Sequence, residues 1–144
     1  MTENREYHPR GLLRYPTYAF GKLHKAIHAD LDTPLREHWV LTYLEESGDI
    51  TQQEMANALA IDRSEVVRLI DSLEKAGLVT RTRDADDRRK YRLTITASGR
   101  KLREEVGARV DAATDVLLSR LTPAERTTLH RLSLKALGYD IDEL

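Results

Sequence analysis

The chain has 144 residues, 40% hydrophobic and 33% charged, with a net charge of −1 and no cysteine. That length fits one domain or one small core with an extension, and the absence of cysteine excludes disulfides, thiolate metal ligands and cysteine redox sensing. No apolar run approaches the ~20 residues that span a bilayer, and the opening MTENREYHPRGLLRYP has no signal-peptide apolar stretch, so a cytoplasmic location with no membrane partner is expected.

A first helix is predicted from about Pro16 to Asp30, with Phe20, Leu23, Ile27 and Leu31 at helical spacing. In DTPLREHWVLTYLEESGD, Thr33 is placed as N-cap, Pro34 at the first helical position and Gly48 as the stop, which gives a second helix over about 34–46. TQQE sets Thr51 three residues before Glu54, a capping box that opens a short helix over 52–59. DRSE repeats the spacing with Asp62 and Glu65. It opens a helix from Arg63 to about Ala76 with Val66, Leu69, Ile70 and Leu73 on one face and Gly77 as its stop. LVTRTR and YRLTIT alternate at period two and read as paired strands around the loop DADDRRK, too long for a two-residue turn. A long helix follows from near Ser98 to about Leu121, with Leu102, Val106, Val110, Ala113, Leu117 and Leu121 in its stripe. TPAE, with Thr122, Pro123 and Glu125, opens the last helix, which runs to about Leu137. The fold class is mainly α with a small β-hairpin (α+β).

The stripe of the long helix, together with Leu129, Leu132 and Leu137, exceeds what one small core covers. Unburied apolar stripes pack on another subunit, so a homodimer is expected, with the first helix joining the interface. An intramolecular bundle is the alternative.

The helices over 52–59 and 63–76, joined by LAID, form a helix-turn-helix pattern, which places the N-terminal residues of its second helix against base edges in the major groove. Arg63, Ser64, Val67 and Arg68 lie on or near the face away from the apolar stripe. Arginine suits bidentate contact with guanine, and Val67 suits a thymine methyl. The hairpin then brings a concentrated charge. From Arg81 to Arg103 there are nine Lys or Arg against Asp84, Asp86 and Asp87, a local +6 on a chain of −1. Such a patch on a neutral body is an electrostatic footprint for phosphate; on charge alone a solvated hairpin is the equal alternative. Reader helix, strand, charged tip, strand is the order of a winged helix.

From Thr51 to Leu102 the sequence resembles the core of the MarR family of bacterial transcription regulators. The family's wing carries Asp-x-x-Asp-Arg-Arg, then an apolar residue, an aliphatic-Thr pair and a Gly opening the next helix; Asp84, Asp87, Arg88, Arg89, Leu93, Ile95, Thr96 and Gly99 fill those slots. LEKAGLVTR matches the family's passage from reader helix to wing. The resemblance implies a winged helix-turn-helix lobe over 33–97 and a helical dimerisation region over 10–32 and 98–144. It implies a homodimer on a double-stranded, pseudo-palindromic operator, most readily as a repressor, with the reader helix in the major groove and the wing, 84–92, in the minor groove. Carried over by position, Arg89 is the minor-groove arginine and Asp87 holds it by a salt bridge, while Arg88, Lys90 and Arg92 meet phosphates. One departure is Glu65, where the family commonly has a small hydroxyl residue. It either accepts from a cytosine amino group or completes the capping box with Asp62.

The family commonly binds small aromatic anions beside the DNA-binding lobe. Tyr15, Tyr18, His24, His28, His38, Trp39 and Tyr43 are the candidate lining for such an effector, with ordinary core packing as the alternative. No cofactor is expected. His24 and His28, at i and i+4, make half a zinc site that His38 or Glu37 completes in a metal-responsive alternative. An enzyme is not expected: there is no Gly-rich phosphate loop, nucleophile elbow or triad, and arginines interleave the one dense carboxylate group, which keeps its pKa values low. A winged helix used for protein contacts alone is a further alternative, disfavoured by the cationic wing.

Overall fold

Thr51 marks the point where strand gives way to helix in the computed structural model, which describes residues 10–29, 31, 34–139 and 142. Its hydroxyl accepts the Glu54 N–H at 3.1 Å and its own N–H donates to the Glu54 carboxylate at 2.8 Å, the reciprocal box expected from TQQE. The elements in chain order are α1 (Arg10–Leu13), α2 (Pro16–Ala29), α3 (Leu35–Ser47), β1 (Ile50–Thr51), α4 (Gln52–Leu59), α5 (Arg63–Lys75), β2 (Val79–Arg83), β3 (Tyr91–Ile95), α6 (Ala97–Leu117) and α7 (Pro123–Ala136).

Several boundaries differ from the sequence reading. Pro34 stands at the cap of α3 with a non-helical ψ of 124°, not at its first helical position, and Thr33 lies outside the described residues. Asp62 caps α5 through the Ser64 N–H at 3.3 Å, so Glu65 does not complete a capping box there. Thr122 caps α7 by accepting the Glu125 N–H at 3.2 Å, without the return bond of a full box. Helix α6 stops at Leu117, before the expected Leu121. The cause lies downstream: Pro123 forces Thr122 into extended backbone, with ψ at 159°, and residues 118–120 unwind into turns to meet it. Its start is also earlier than Ser98, because Thr96 serves as a cap. The Thr96 hydroxyl accepts the Gly99 N–H at 3.0 Å and donates to the Gly77 carbonyl at 2.8 Å.

Strand β1 is an addition to the two expected strands. Two residues carry no alternation to read, yet Ile50 pairs with Leu93 and Thr51 with Arg92, giving an antiparallel sheet in the order β1-β3-β2. Across β2 and β3 the register is Val79 to Ile95, Arg81 to Leu93 and Arg83 to Tyr91. Ile50, Val79, Leu93 and Ile95 are buried, one face of the pleat. That face meets Val40, Leu41 and Leu44 of α3, Met55 of α4, and Val66, Ile70 and Leu73 of α5 in one core.

By its contacts the chain divides into two compact units: residues 28–111, and residues 1–27 with 112–144. The first holds the core just described; Val106 of α6 is buried in it and Leu102 packs against its cluster. In the second, no described residue is buried. Phe20, Val116, Leu132 and Leu137 are exposed there, at 59%, 69%, 49% and 72%.

The start of α6 is fitted to the turn after α5. Gly77 has φ +76°, and the N–H groups of Gly77 and Leu78 return to the carbonyls of Glu74 and Leu73, both at 2.9 Å, closing the helix. Gly99 packs onto that turn so closely that a Cβ would stand 2.2 Å from the Leu78 carbonyl oxygen and 2.8 Å from Ile95 Cγ1. Backbone cannot yield as a flexible side chain does. Gly99→Ala is therefore expected to destabilise the fold by about 1–3 kcal/mol; urea unfolding of wild type and variant measures it, and an unchanged midpoint would refute the close approach.

Candidate nucleic-acid interface

The four residues singled out on the reader helix are all exposed. Arg63, Ser64 and Arg68 face solvent on α5 and Val67 is 39% exposed, while Val66, Ile70 and Leu73 hold the opposite face in the core. The apolar half of the helix thus fixes the direction in which the polar half points. The turn before it is tight: Ala60 takes the left-handed conformation at φ 51°, and the Ile61 N–H returns to Ala56 O at 3.2 Å.

The wing is built around Asp84, which is buried. Its Oδ1 accepts the N–H groups of Asp86 at 2.8 Å and Asp87 at 2.9 Å, and its Oδ2 accepts Arg92 Nη1 at 3.0 Å. These bonds, the Asp87 N–H first, hold its carboxyl below the usual aspartate range. With the turn closed in this way, Asp87 O accepts the Lys90 N–H at 2.9 Å and the Arg88 carbonyl accepts Arg83 Nη1 at 2.6 Å.

At the tip, Arg89 is 90% exposed and yet held. Its Nε reaches Asp87 Oδ1 at 3.1 Å and its Nη2 reaches Asp87 Oδ2 at 3.3 Å, a fork on both carboxylate oxygens. The Arg89 backbone N–H also donates to Asp87 Oδ1 at 3.1 Å. The Asp87 carboxyl is accordingly depressed, chiefly by the Arg89 side chain. The pair implied by the family resemblance is thus present in the geometry of the chain. Arg88 and Lys90 are exposed beside it.

Arg92 behaves otherwise than expected. Rather than facing outward as a phosphate contact, it is clamped by Asp84, by Asp49 Oδ2 at 3.0 Å and by the Asp49 carbonyl at 2.9 Å. Arg81 is likewise engaged by Asp71 at 2.7 Å, Glu74 at 3.2 Å and Gln52 at 3.1 Å, and Arg103 pairs with Glu45. The local count of +6 therefore overstates the free charge, because acids outside that stretch close on three of its nine cations. The guanidiniums of Arg81 and Arg83 lie over the Tyr91 ring, 5.2 and 5.1 Å from its centroid.

Sequence reasoning missed Asp84, Asp49 and Arg92 as the frame of the wing. The available signal was local: an Asp followed by two further residues whose N–H groups it can bond is an Asx-type turn. Asp49 had no such signal, since it meets Arg92 only across the sheet.

The residues expected at an effector site divide between the two units. His38, Trp39 and Tyr43 come together on α3, where with Thr42, Glu46 and Val110 they line a cleft of about 400 Å3 in the unit of residues 28–111. His38 Nδ1 is buried there with no hydrogen-bond partner among the described residues. Burial, and after it Arg103, pushes the His38 pKa down, so the ring is neutral at pH 7. His28 belongs to the same unit, while Tyr15, Tyr18 and His24 belong to the other. Tyr18 lines a separate cleft there, of about 640 Å3, with Leu13, Leu23 and Leu117. No three His, Asp or Glu among the described residues group closely enough to hold a metal ion; of the histidines in the zinc alternative, His24 lies in one unit and His28 and His38 in the other. No helix among the described residues is long and apolar enough to cross a membrane.

Asp84→Ala should loosen the wing without unfolding the core. Amide exchange at Asp86 and Asp87 is expected to accelerate roughly tenfold or more while that of α5 stays constant; unchanged wing exchange would contradict the role given to this carboxylate. Because its folded pKa is depressed, its contribution is complete above the unfolded value of about 3.9 and is lost only as pH falls through the folded one. In wild type, wing protection corrected for intrinsic exchange should therefore stay flat from about pH 7 to 5 and collapse in stronger acid.

Residues 31–90 match the model of the MarR family. The HTH-type transcriptional regulator FarR of Neisseria gonorrhoeae is 37% identical over 82 residues, 56% of each chain, and the chain spans about half the length of the curated relatives it matches. Among solved structures, BpsR of Bordetella bronchiseptica, described with the regulation of its DNA binding by 6-hydroxynicotinic acid, superposes with a TM-score of 0.79 at 26% identity, covering 92% of this chain and 100% of that one. A mutant of MarR from E. coli complexed with operator DNA superposes with a TM-score of 0.72 at 25% identity, over 89% and 94% of the two chains. With its capped helix α5 and carboxylate-anchored wing, the chain is similar to the MarR family over residues 31–90 and shares the fold of these solved regulators.

Proposed function

We propose that the chain is a sequence-specific DNA-binding transcription regulator, a homodimeric repressor on a pseudo-palindromic operator that responds to a small aromatic acid. The observation that carries this reading is Arg89: a guanidinium 90% exposed, held by its own acid, at the tip of a hairpin that follows an exposed reader helix. A free arginine loses rotamer entropy when it inserts into a groove; one already fixed by Asp87 loses less. A narrow A·T minor groove concentrates negative potential and attracts such a group. Arg88 and Lys90 then meet phosphates, while Arg63, Ser64, Val67 and Arg68 read bases in the major groove.

The homodimer is supported by the unit of residues 1–27 and 112–144. Its described residues expose Phe20, Val116, Leu132 and Leu137 and bury none, so an apolar partner is required, and a second copy supplies a self-complementary one. Two-fold symmetry then matches two half-sites. In this reading 33–97 is the DNA-binding lobe, and 10–32 with 98–144 is the dimerisation region. The effector is supported by the cleft beside Trp39 and Tyr43 and by the likeness to BpsR. A neutral His38, whose buried Nδ1 has no hydrogen-bond partner among the described residues, offers it a polar handle. The protein acts in the cytoplasm, without a cofactor, and not as an enzyme: the carboxylates of Asp84 and Asp87 are engaged by N–H groups and guanidiniums and stay ionised, which suits neither acid nor base catalysis.

Binding to random duplex DNA should weaken on the order of a hundredfold between roughly 50 and 200 mM salt. On the operator, Arg89→Ala should reduce affinity about tenfold or more, most on sites with an A·T-rich step under the wing. Fluorescence anisotropy measures both; salt-independent or absent binding would sink the regulator reading, and an unaffected Arg89→Ala would remove the minor-groove assignment. Truncation after Leu121 should abolish the dimer in analytical ultracentrifugation, whereas a dimer that persists would place the interface elsewhere.

A further inference from the structure

The reader helix carries one acid, Glu65, in its first turn, and the structure gives that acid a partner. Glu65 is the third residue of α5, in the turn where a helix-turn-helix meets base edges. The cap at Asp62 uses Ser64 and leaves Glu65 out. Instead, Glu65 Oε1 accepts Arg36 Nη1 from α3. Two turns further along α5, the Ser72 hydroxyl donates to Glu37 Oε1 at 3.1 Å, so α3 is fastened along the same flank. The Glu65 side chain remains 27% exposed and that of Arg36 50% exposed. Among the described residues Oε2 of Glu65 has no hydrogen-bond partner.

An exposed ion pair contributes little to stability, so stability is a weak account of this one. A lone carboxylate on a surface that approaches a polyanion is unfavourable, and Arg36 removes that objection by cancelling the charge. It also fixes one carboxylate oxygen and leaves the other as a bare acceptor. In the major groove only two base groups donate, the N4 amino group of cytosine and the N6 amino group of adenine. The adenine amino group stands beside N7, an acceptor that repels a carboxylate, whereas a carboxylate pairs with cytosine without that conflict.

We propose that Glu65 is a specificity-determining residue that selects cytosine at one position of each half-site, and that Arg36 is its positioning residue. The arrangement inverts the wing: there an acid holds an arginine that inserts, and here an arginine holds an acid that reads. This inference rests on the DNA-binding reading above and goes beyond it by naming a base and the residue pair that chooses it.

Selection from a randomised duplex pool tests it, using the full chain as wild type, Glu65→Gln, Arg36→Ala and Arg36→Lys. Wild type should enrich a motif with cytosine at one position per half-site. Glu65→Gln, close in shape, should lose that cytosine, since with its oxygen held by Arg36 the amide presents a donor where the carboxylate presented an acceptor, and should leave the remaining positions as they were. Arg36→Ala should flatten the cytosine preference by about tenfold, and Arg36→Lys should restore part of it, at thermal midpoints close to wild type. A motif unchanged in Glu65→Gln would overturn the proposal and reduce the pair to a strut. A cytosine preference unchanged in Arg36→Ala would overturn the positioning role. If wild type enriches no motif at all, the DNA-binding reading itself fails and this inference with it, a result distinct from a motif that ignores Glu65.

Discussion

Asp84 sits at the root of the wing with its carboxylate withdrawn from water, where the lone pairs of its oxygens must be met by the chain itself. The two N–H groups of Asp86 and Asp87 and the guanidinium of Arg92 meet them. Much of the wing follows from that requirement. The turn it closes sets Asp87 where its carbonyl takes the Lys90 N–H and its side chain forks onto Arg89. Through Arg92 the same carboxylate is tied to Asp49, just before β1, and so to the strand that leads into α4. One buried acid thereby connects the base of the wing to the start of the helix-turn-helix.

The charges of the lobe separate into those that build and those that remain available. Arg81, Arg92 and Arg103 are drawn inward by Asp71 and Glu74, by Asp49 and Asp84, and by Glu45. Arg88, Arg89 and Lys90 stay exposed at the tip. A cation paired on both sides adds little to long-range attraction, whereas a tip cation meets an approaching phosphate first. Arg89 belongs to both groups, since its acid fixes its direction without covering it.

The two units are stabilised in different ways. Residues 28–111 enclose a core in which α3, α4, α5 and the sheet face share Val40, Leu44, Met55, Ile70 and Leu93. The described residues of 1–27 and 112–144 bury nothing, although α7 is capped by Thr122. Caps determine where a helix begins but contribute too little to hold an apolar helix in water alone; packing of its apolar face does that.

Helix starts at Gln52, Arg63 and Pro123 were legible in the sequence because a cap is local, a side chain bonding an N–H two or three residues away. The wing strands were legible because alternation has period two, and the exposed face of α5 because its apolar stripe leaves one side over. Arg89 and Asp87 could be paired from a family motif, being two residues apart. Other features depend on distance in space rather than along the chain. β1 is too short to show a period and exists because Leu93 and Arg92 offer it an edge. Arg92 looked like a free cation until the sheet brought Asp49 beside it, and Glu65 looked like half of a capping box until α3 placed Arg36 against it. Local hydrogen bonding and periodicity are properties of sequence spacing, so the sequence by itself determined the elements and the direction of the reader face. Charge pairing and strand addition act between residues that only folding makes neighbours, so the tertiary structure alone decided which charges of the lobe were left to meet a partner.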